Sequence, residues 1–192
     1  IIAGFNISCI GDERAFSYLP SRQGNTLSDQ IALHVLKNLH PEFLSYSFLD
    51  RGSDERQYCS PGIDLPVCSI MRTRYGCYPE YHTSLDDLDL VTPNGLYGGF
   101  EAIKKSIECI EMTEILQSTI LCEPQLGKRN LYPTISTNNS TLHVRGMMNF
   151  LAHCDGKLNT LEIAEVILTP LWELITIIDK LKQEGILRTI DD

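Results

Sequence analysis

The stretch that decides the fold spans residues 66–90, where Pro-Val-Cys-Ser-Ile-Met-Arg (66–72) leads to Tyr-Pro-Glu-Tyr-His-Thr-Ser-Leu-Asp-Asp-Leu-Asp-Leu (78–90). The first part is a short and mostly apolar run, which is typical of a buried strand in a parallel sheet. The second part contains His82, which directly follows Tyr81 and has four acidic side chains nearby. Because ligand sites of α/β sheets lie in loops that follow strands, this order predicts a site at the rim of such a sheet.

Further strands and helices are predicted on both sides of this stretch. The apolar runs 1–10 and 46–49 predict two strands in addition to 67–72. Residues 27–39 carry a helical apolar stripe between a capping Asn-Thr pair and a proline, and 95–117 predicts the longest helix. The alternation of strands and helices favours the parallel or mixed sheet of an α/β domain.

The sequence changes in character after about residue 130. Strands are predicted at 120–122, 131–135 and 186–190, and helices at 142–154, after Asn159-Thr160 and after Thr169-Pro170. Three helices, the last two joined by a tight turn and followed by a strand, predict a winged helix-turn-helix. We therefore expect an α/β part at 1–122, a linker at 123–130 and a winged helix-turn-helix domain at 131–192.

Charge and composition restrict the partners of the chain. The net charge of −9 argues against broad nucleic-acid binding, which needs clustered Lys and Arg. No apolar run is long enough to span a bilayer and no leader sequence is evident, so we expect no membrane contact. The seven cysteines show no zinc-knuckle spacing, and reduced thiols in a cytoplasmic protein are the expected state.

The winged helix is expected to bind protein rather than DNA. Residues 159–185 contain only two lysines against five acidic side chains, a balance that repels phosphate. A partner protein or a second copy of the chain is the favoured ligand. Trp172 would anchor such a contact if it is exposed, whereas it is a core residue if it is buried.

His82 is the residue whose chemistry is most specific. Imidazole and carboxylate groups hold divalent metals, and a metal with an open position lowers the pKa of bound water and polarises a carbonyl. A single histidine is more often a surface or packed residue, so both interpretations stay open from the residue pattern alone.

The sequence segments around His82 occur in an order that is also found in a known protein family. Gly-Ser-Asp-Glu-Arg-Gln-Tyr (52–58), Pro-Gly-Ile-Asp-Leu-Pro (61–66), Arg-Thr-Arg-Tyr (72–75), Tyr-Pro-Glu-Tyr-His-Thr (78–83) and Asp-Asp-Leu-Asp-Leu-Val (86–91) occur in that order. Over roughly residues 1–120, this set resembles the last third of the catalytic domain of zinc aminopeptidases, the family of glutamate carboxypeptidase and the transferrin receptor ectodomain. Together with residues 3–12 and 22–26 and the C-terminal winged helix, it resembles a branch of aminopeptidase-like proteins often encoded among polysaccharide-biosynthesis genes.

The resemblance implies roles for three residues of the metal site. It makes His82 a zinc ligand, and Tyr81 a hydroxyl donor to the tetrahedral intermediate. The family has a carboxylate ligand in the strand that corresponds to 1–10, where this chain has Ser8 or Cys9. Asp12 would serve instead from the end of the strand, or that ligand is lost, which favours one metal or none. The family's remaining ligands and its general-base Glu would lie upstream of residue 1, so the isolated chain is not expected to be a competent peptidase.

Four further residues are implied to bind substrate. Arg72 and Arg74 stand where the carboxypeptidase branch has arginines that hold a substrate carboxylate. Asp54 and Glu55 stand in a segment that lines the site. The alternatives are ordinary ion pairs at the strand end for the two arginines, and helix N-terminal carboxylates for the two acids.

The leading hypothesis is therefore a zinc-dependent aminopeptidase-like hydrolase of a small amide- or peptide-like substrate, of which this chain carries part of the site. A binding module that keeps the fold without the chemistry is the first rival. A DNA-binding regulator based on the winged helix is the second.

Overall fold

The computed structural model describes residues 1–129, 131 and 138–190, and these residues divide into two units. The first unit is Ile1–Ile110 and the second is Glu111–Asp192. The division lies earlier than the boundary expected at 122, because a strand at Ile115–Ser118 pairs with strands of the second unit. The strand predicted at 131–135 lies outside the described residues except for Leu131, which is in no strand.

The first unit is a mixed α/β sheet, as predicted. Its elements are β1 (Gly4–Ile7), β2 (Ser17–Leu19), α1 (Leu27–Leu39), β3 (Leu44–Ser45), a 3-10 helix (Phe48–Asp50), α2 (Glu55–Tyr58), β4 (Val67–Met71) and α3 (Pro93–Met112). The strand order is β1-β4-β2-β3. Strand β1 is parallel to β4, whereas β2 is antiparallel to β4 and parallel to β3.

Helix α1 confirms the predicted bounds, and a buried carboxylate joins it to the sheet. Asp29 in its first turn accepts hydrogen bonds from the Tyr18 hydroxyl at 2.7 Å and from the Ser21 hydroxyl at 2.6 Å. The strand predicted at 46–49 was wrong, since the pairing is limited to Leu44–Ser45 and a 3-10 helix follows. The Ser47 hydroxyl accepts from the backbone of Leu49 and so favours that helical turn over an extended strand.

Helix α3 lies against the loop after β1 because glycines line the contact. A β-carbon at Gly95 would lie 1.9 Å from the carbonyl oxygen of Gly11, and one at Gly99 would lie 2.1 Å from the side chain of Ile10. Only glycine permits so close an approach of helix and loop. This contact fixes the segment that carries Asp12 under the first turns of α3.

A second buried carboxylate holds the 52–55 segment on the sheet. Glu55 accepts hydrogen bonds from the backbone of Gly52 (2.7 Å) and Ser53 (2.9 Å), from the Tyr75 hydroxyl (2.6 Å) and from the Asn6 amide (2.8 Å). Burial alone would raise the pKa of Glu55, but the hydrogen bonds outweigh it and hold the pKa below its ordinary value. Glu55 is therefore an ionised structural group.

The second unit confirms the predicted winged helix-turn-helix. Its elements are β5 (Ile115–Ser118), a 3-10 helix (Leu126–Arg129), α4 (Asn138–Ala152), β6 (Asp155–Asn159), α5 (Thr160–Val166), α6 (Leu171–Gln183) and β7 (Leu187–Thr189). Strand β5 lies between β6 and β7 and is antiparallel to both. Asn159 caps α5, since its side chain accepts from the backbone of Glu162 at 2.9 Å while Glu162 accepts in return at 2.8 Å.

Two expectations in this unit were wrong. The predicted strand at 120–122 is a turn, and the strand lies at Ile115–Ser118 instead. The helix predicted at 142–154 ends at Ala152, and a strand that was not predicted, β6, begins at Asp155, with a φ of +86° at Gly156. Trp172 is partly buried, between the two alternatives left open for it.

None of the described helices combines the length and apolarity needed to cross a membrane.

We predict that Glu55→Gln destabilises the protein by about 2–3 kcal/mol, because an amide places a donor where four donors converge. The wild-type contribution is present above the unfolded pKa of about 4.3 and is lost as the pH falls through the lower folded pKa, so the variant should also show a weaker loss of stability in acid. Urea unfolding at pH 7 and at pH 3–4 measures both effects.

The matched control is the neighbouring Asp54→Asn. Asp54 is exposed and its side chain makes no capping hydrogen bond, so the change should stay within about 0.5 kcal/mol. Equal stabilities of Glu55→Gln and Asp54→Asn would contradict the structural role of Glu55.

Candidate metal and substrate site

The segment at 78–92 is a loop of turns between β4 and α3, and it is fixed to the loop after β1 at both of its ends. Near its start, Glu80 accepts two hydrogen bonds from the Arg14 guanidinium at 2.9 and 2.7 Å, which lower the pKa of Glu80 to about 2. Near its end, the backbone of Thr92 donates to the Gly11 carbonyl at 3.0 Å, and the Thr92 hydroxyl bonds to Glu13. Two chain segments that are distant in sequence thereby form one site.

A ring stack positions His82. The imidazole lies on the Tyr81 ring with centroids 4.0 Å apart and an angle of 21° between the planes. Tyr81 in turn packs against the buried cluster of Leu19, Met71 and Tyr75. The backbone of His82 has a φ of +60°, an uncommon conformation for a residue with a side chain. His82 is therefore an exposed residue whose imidazole is held against the half-buried ring of Tyr81.

The two predicted metal ligands line one cleft. The cleft has a volume of about 420 Å³ and is lined by both of them, by Tyr81 and by residues of both loops. The full lining is Ser8, Cys9, Ile10, Gly11, Asp12, Ser53, Tyr78, Tyr81, His82, Asp86, Leu90 and Val91. The structure thus brings together His82, Asp12 and Tyr81, which the sequence placed in one site.

Asp12 has a structural task in this cleft. Its carboxylate is buried and accepts from the Thr73 backbone at 2.8 Å, from the Thr73 hydroxyl at 2.6 Å and from the Arg14 backbone at 2.9 Å. The oxygen Oδ1 accepts one of these bonds and Oδ2 accepts two. A carboxylate oxygen has room for a second partner, so Oδ1 retains some capacity for a ligand.

The residues present do not make a complete zinc site. Within 1–129, 131 and 138–190, no three or more His, Cys, Asp or Glu side chains are grouped so that they could hold a metal ion. Zinc sites use three or four protein ligands. Only part of a ligand set is available from His82 and Asp12, and the described residues by themselves do not fit the metal.

Arg72 and Arg74 do not line the cleft. Arg72 is only 7% exposed and lies 3.8 Å from the centre of the Phe16 ring, which stacks on His40 at 3.5 Å. Burial lowers the pKa of Arg72. Arg74 donates to the carbonyl of Asp50 at 2.8 Å. The acidic residues Glu80 and Asp64 form their ion pairs with Arg14 and Arg22 instead. A role of Arg72 and Arg74 in holding substrate stays a prediction that their packing does not favour.

The 53–55 segment contributes a residue that sequence reasoning missed. Asp54 and Glu55 are absent from the cleft lining, whereas Ser53 is part of it. The Glu55 carboxylate instead accepts four hydrogen bonds within the fold. The residue that lines the cleft is Ser53 rather than the predicted Asp54, because α2 starts at Glu55 and turns the Glu55 side chain back toward the sheet.

Tyr78 and Cys9 form another unpredicted contact in the cleft. The Tyr78 hydroxyl donates to the Cys9 sulfur at 3.4 Å, and the Tyr78 ring meets the edge of Tyr81 with centroids 5.6 Å apart. Burial, together with this hydrogen bond, raises the pKa of Tyr78. The signal for Tyr78 was its place three residues before Tyr81 in the segment that carried the resemblance.

Comparison with known proteins gives the same division of the chain. Residues 1–113 match a domain of unknown function, DUF4910, and residues 114–189 match a winged helix-turn-helix family. A Clostridium acetobutylicum protein provisionally named for polysaccharide biosynthesis and an aminopeptidase-like domain is 37% identical over 163 residues, which are 84% of this chain and 37% of that protein.

A solved structure from the same organism, provisionally described as a peptidase, is also similar. It has a TM-score of 0.87 at 31% identity, over 99% of this chain and 42% of that one. The chain thus spans well under half the length of either relative. The fold of the first unit is peptidase-like, and residues 1–113 make this chain a member of the DUF4910 family with a winged helix-turn-helix domain joined to it.

Proposed function

We propose that this chain is part of a zinc-dependent, aminopeptidase-like hydrolase that cleaves an amide bond in a small amide- or peptide-like substrate. The observation that carries the proposal is a single cleft that is lined both by His82, held on Tyr81, and by the strand-end carboxylate Asp12. The peptidase-like fold of the similar structure supports it. A sugar-bearing substrate is suggested by the name of the polysaccharide-biosynthesis relative.

In this proposal His82 is a zinc ligand, and Asp12 is a second through Oδ1. Because the described residues supply only part of a ligand set, the remaining ligands would come from polypeptide that this chain does not include. Zinc, when bound, would polarise the scissile carbonyl. The ring stack gives His82 a fixed orientation, which lowers the entropy lost on binding a metal.

Tyr81 is proposed to donate a hydrogen bond to the substrate. Burial raises the pKa of Tyr81, with smaller contributions from Cys9 and Asp86. The phenol therefore stays protonated at neutral pH and keeps its donor. A protonated hydroxyl at the cleft wall can stabilise negative charge that develops on a carbonyl oxygen.

An adjoining acidic cleft supports a substrate that carries a positive charge. It has a volume of about 380 Å³ and shares Asp12 and Leu90 with the first cleft. Its wall also includes Glu13, Asp87 and Asp89. The ion pair with Arg14 neutralises Glu80, but the cleft as a whole stays net negative. This charge favours a substrate with an amino group over a substrate with a carboxylate.

A binding module without chemistry is the second candidate. The observation that favours it is the set of three hydrogen bonds that Asp12 accepts from Thr73 and Arg14, because they hold the carboxylate in place without any metal. In that case the cleft would bind a ligand and leave it unchanged.

We further propose that the winged helix binds a protein partner or a second copy of the chain. On α6, the exposed positions include Glu173 and Asp179. The Lys182 amine donates to both carboxylate oxygens of Glu114, at 2.6 and 2.7 Å. This pairing weakens the basic character that phosphate contacts require.

The zinc proposal is tested with the complete gene product. We expect zinc in the purified protein by elemental analysis, and His82→Ala should lower the zinc content by at least half because an imidazole ligand is lost. His153→Ala, a histidine of the second unit, is the control and should leave the content unchanged. A metal-free protein, or one whose zinc survives His82→Ala, would exclude the proposal.

Hydrolysis separates the enzyme from the binding module. Tyr81→Phe should lower kcat for an aminoacyl amide by about 100-fold with unchanged zinc content, since it removes one donor to the developing oxyanion. Tyr97→Phe, outside both clefts, should have no effect. Zinc-loaded wild-type protein that hydrolyses no aminoacyl amide favours the binding module.

For the winged helix, we expect no salt-sensitive binding to duplex DNA in fluorescence anisotropy between 50 and 200 mM salt, about the range over which phosphate contacts are revealed. An affinity that falls steeply with salt would contradict the protein-partner proposal.

A further inference from the structure

The turn between α5 and α6 holds an apolar side chain in a backbone conformation that favours glycine. Helix α5 ends at Val166, and Leu168 follows with a φ of +54°. The backbone of Thr169 donates to the Ala164 carbonyl at 3.0 Å. The backbone of Leu168 donates to the Glu165 carbonyl at 3.3 Å. This pair of bonds is a Schellman motif, in which the residue with positive φ is usually glycine because a β-carbon is disfavoured there.

The end of α6 has the same motif with the usual residue. Gly185 has a φ of +66°. The backbone of Ile186 donates to the Leu181 carbonyl at 2.9 Å. The backbone of Gly185 donates to the Lys182 carbonyl, also at 2.9 Å. Leu168 and Gly185 therefore hold equivalent positions in one domain, and only Leu168 has a side chain that opposes the conformation.

Packing does not compensate for the conformation of Leu168. Its side chain belongs to a residue that is 89% exposed, and Val166, in the last turn of α5, is 53% exposed. Single apolar residues on a surface are ordinary. A leucine that opposes its own backbone conformation and is not buried does not stabilise the fold, so it suits a contact outside the fold.

Carboxylates accompany the two apolar side chains. Residues 160–173 include Glu162, Glu165 and Glu173, which are all exposed, and they contain no lysine, arginine or histidine. Glu162 lies four residues before Val166, so the two share one side of α5. Glu173 is in the first turn of α6. Exposed apolar residues next to charged groups are typical of an interaction surface.

We infer that this turn patch, made of Val166 and Leu168 with Glu162, Glu165 and Glu173, binds a basic amphipathic segment of a partner protein. The segment would place an apolar side chain on Leu168 and direct lysine or arginine side chains to the carboxylates. The inference rests on the proposed protein-binding role of the winged helix, and it adds the surface and the chemistry of the partner. It is independent of zinc and of the reaction.

Charge separates this partner from the other candidates. Three carboxylates repel the phosphates of nucleic acids and of acidic lipid surfaces. A second copy of the chain carries a net charge of −9 and the same acidic patch, so self-association brings like charges together. A segment rich in lysine or arginine has the complementary charge.

The test uses the complete gene product and, as the probe, a fluorescein-labelled synthetic helix of leucine and lysine. The same peptide with glutamate in place of lysine is its counterpart. We expect the lysine peptide to bind in fluorescence anisotropy and the glutamate peptide not to bind. Leu168→Gly should weaken binding of the lysine peptide by at least about tenfold, because it removes the apolar contact. The same variant should keep its Tm or gain about 2–4 °C, because glycine suits the positive φ.

Leu121→Gly is the matched control. Leu121 is 93% exposed and belongs to the second unit. It lies near the other end of α6, since the backbone of Thr119 donates to the Ile186 carbonyl at 2.9 Å. Helix α6 has 13 residues and is therefore about 20 Å long. Leu121→Gly should leave the affinity for the lysine peptide unchanged.

Four results would each overturn the inference. The lysine peptide does not bind, or Leu121→Gly weakens its binding as much as Leu168→Gly does. Leu168→Gly lowers the Tm by more than about 2 °C, which would make Leu168 a structural residue. Sedimentation shows a dimer that Leu168→Gly disperses. Salt-sensitive binding of duplex DNA would instead contradict the proposed role of the winged helix, so the two failures are told apart.

Discussion

The hydrogen bonds between Asp12 and Thr73 are the constraint on which the site depends. Asp12 follows β1 and Thr73 follows β4, so these bonds continue the pairing of the two parallel strands past their ends. The backbone of Arg72 donates to the Cys9 carbonyl at 2.9 Å in the same continuation. The loops that leave the two strands are thereby kept side by side, and the cleft with His82 lies between them.

This constraint sets two demands on one carboxylate. A buried carboxylate that accepts three hydrogen bonds stabilises the strand ends, since each charged hydrogen bond contributes about 1.5–3 kcal/mol. A metal ligand must instead direct a lone pair into the cleft. The division of the bonds, one on Oδ1 and two on Oδ2, allows both demands to be met by one side chain.

The sequence predicted elements where local pattern and packing agree. Helix α1 and the three helices of the second unit were found from their apolar residues, and α1 and α5 also have a capping box. Strands β2 (Ser17–Leu19) and β6 (Asp155–Asn159) were missed, because polar, short segments become strands through pairing with neighbours rather than through their own composition. Strand order predicted a site at the loop that carries His82, whereas the assignment of Tyr81 and Asp12 to the same site came from the family resemblance. The burial of Arg72 against Phe16 depends on a ring from a distant strand end, which the sequence pattern does not reveal.

The chemistry proposed for this cleft depends on zinc bound through His82. Anomalous diffraction at the zinc absorption edge, from crystals of the complete gene product, tests it most directly. We expect an anomalous peak in the cleft about 2.0–2.1 Å from a ring nitrogen of His82. A fully ordered cleft without such a peak, or a zinc ion bound only elsewhere, would contradict it.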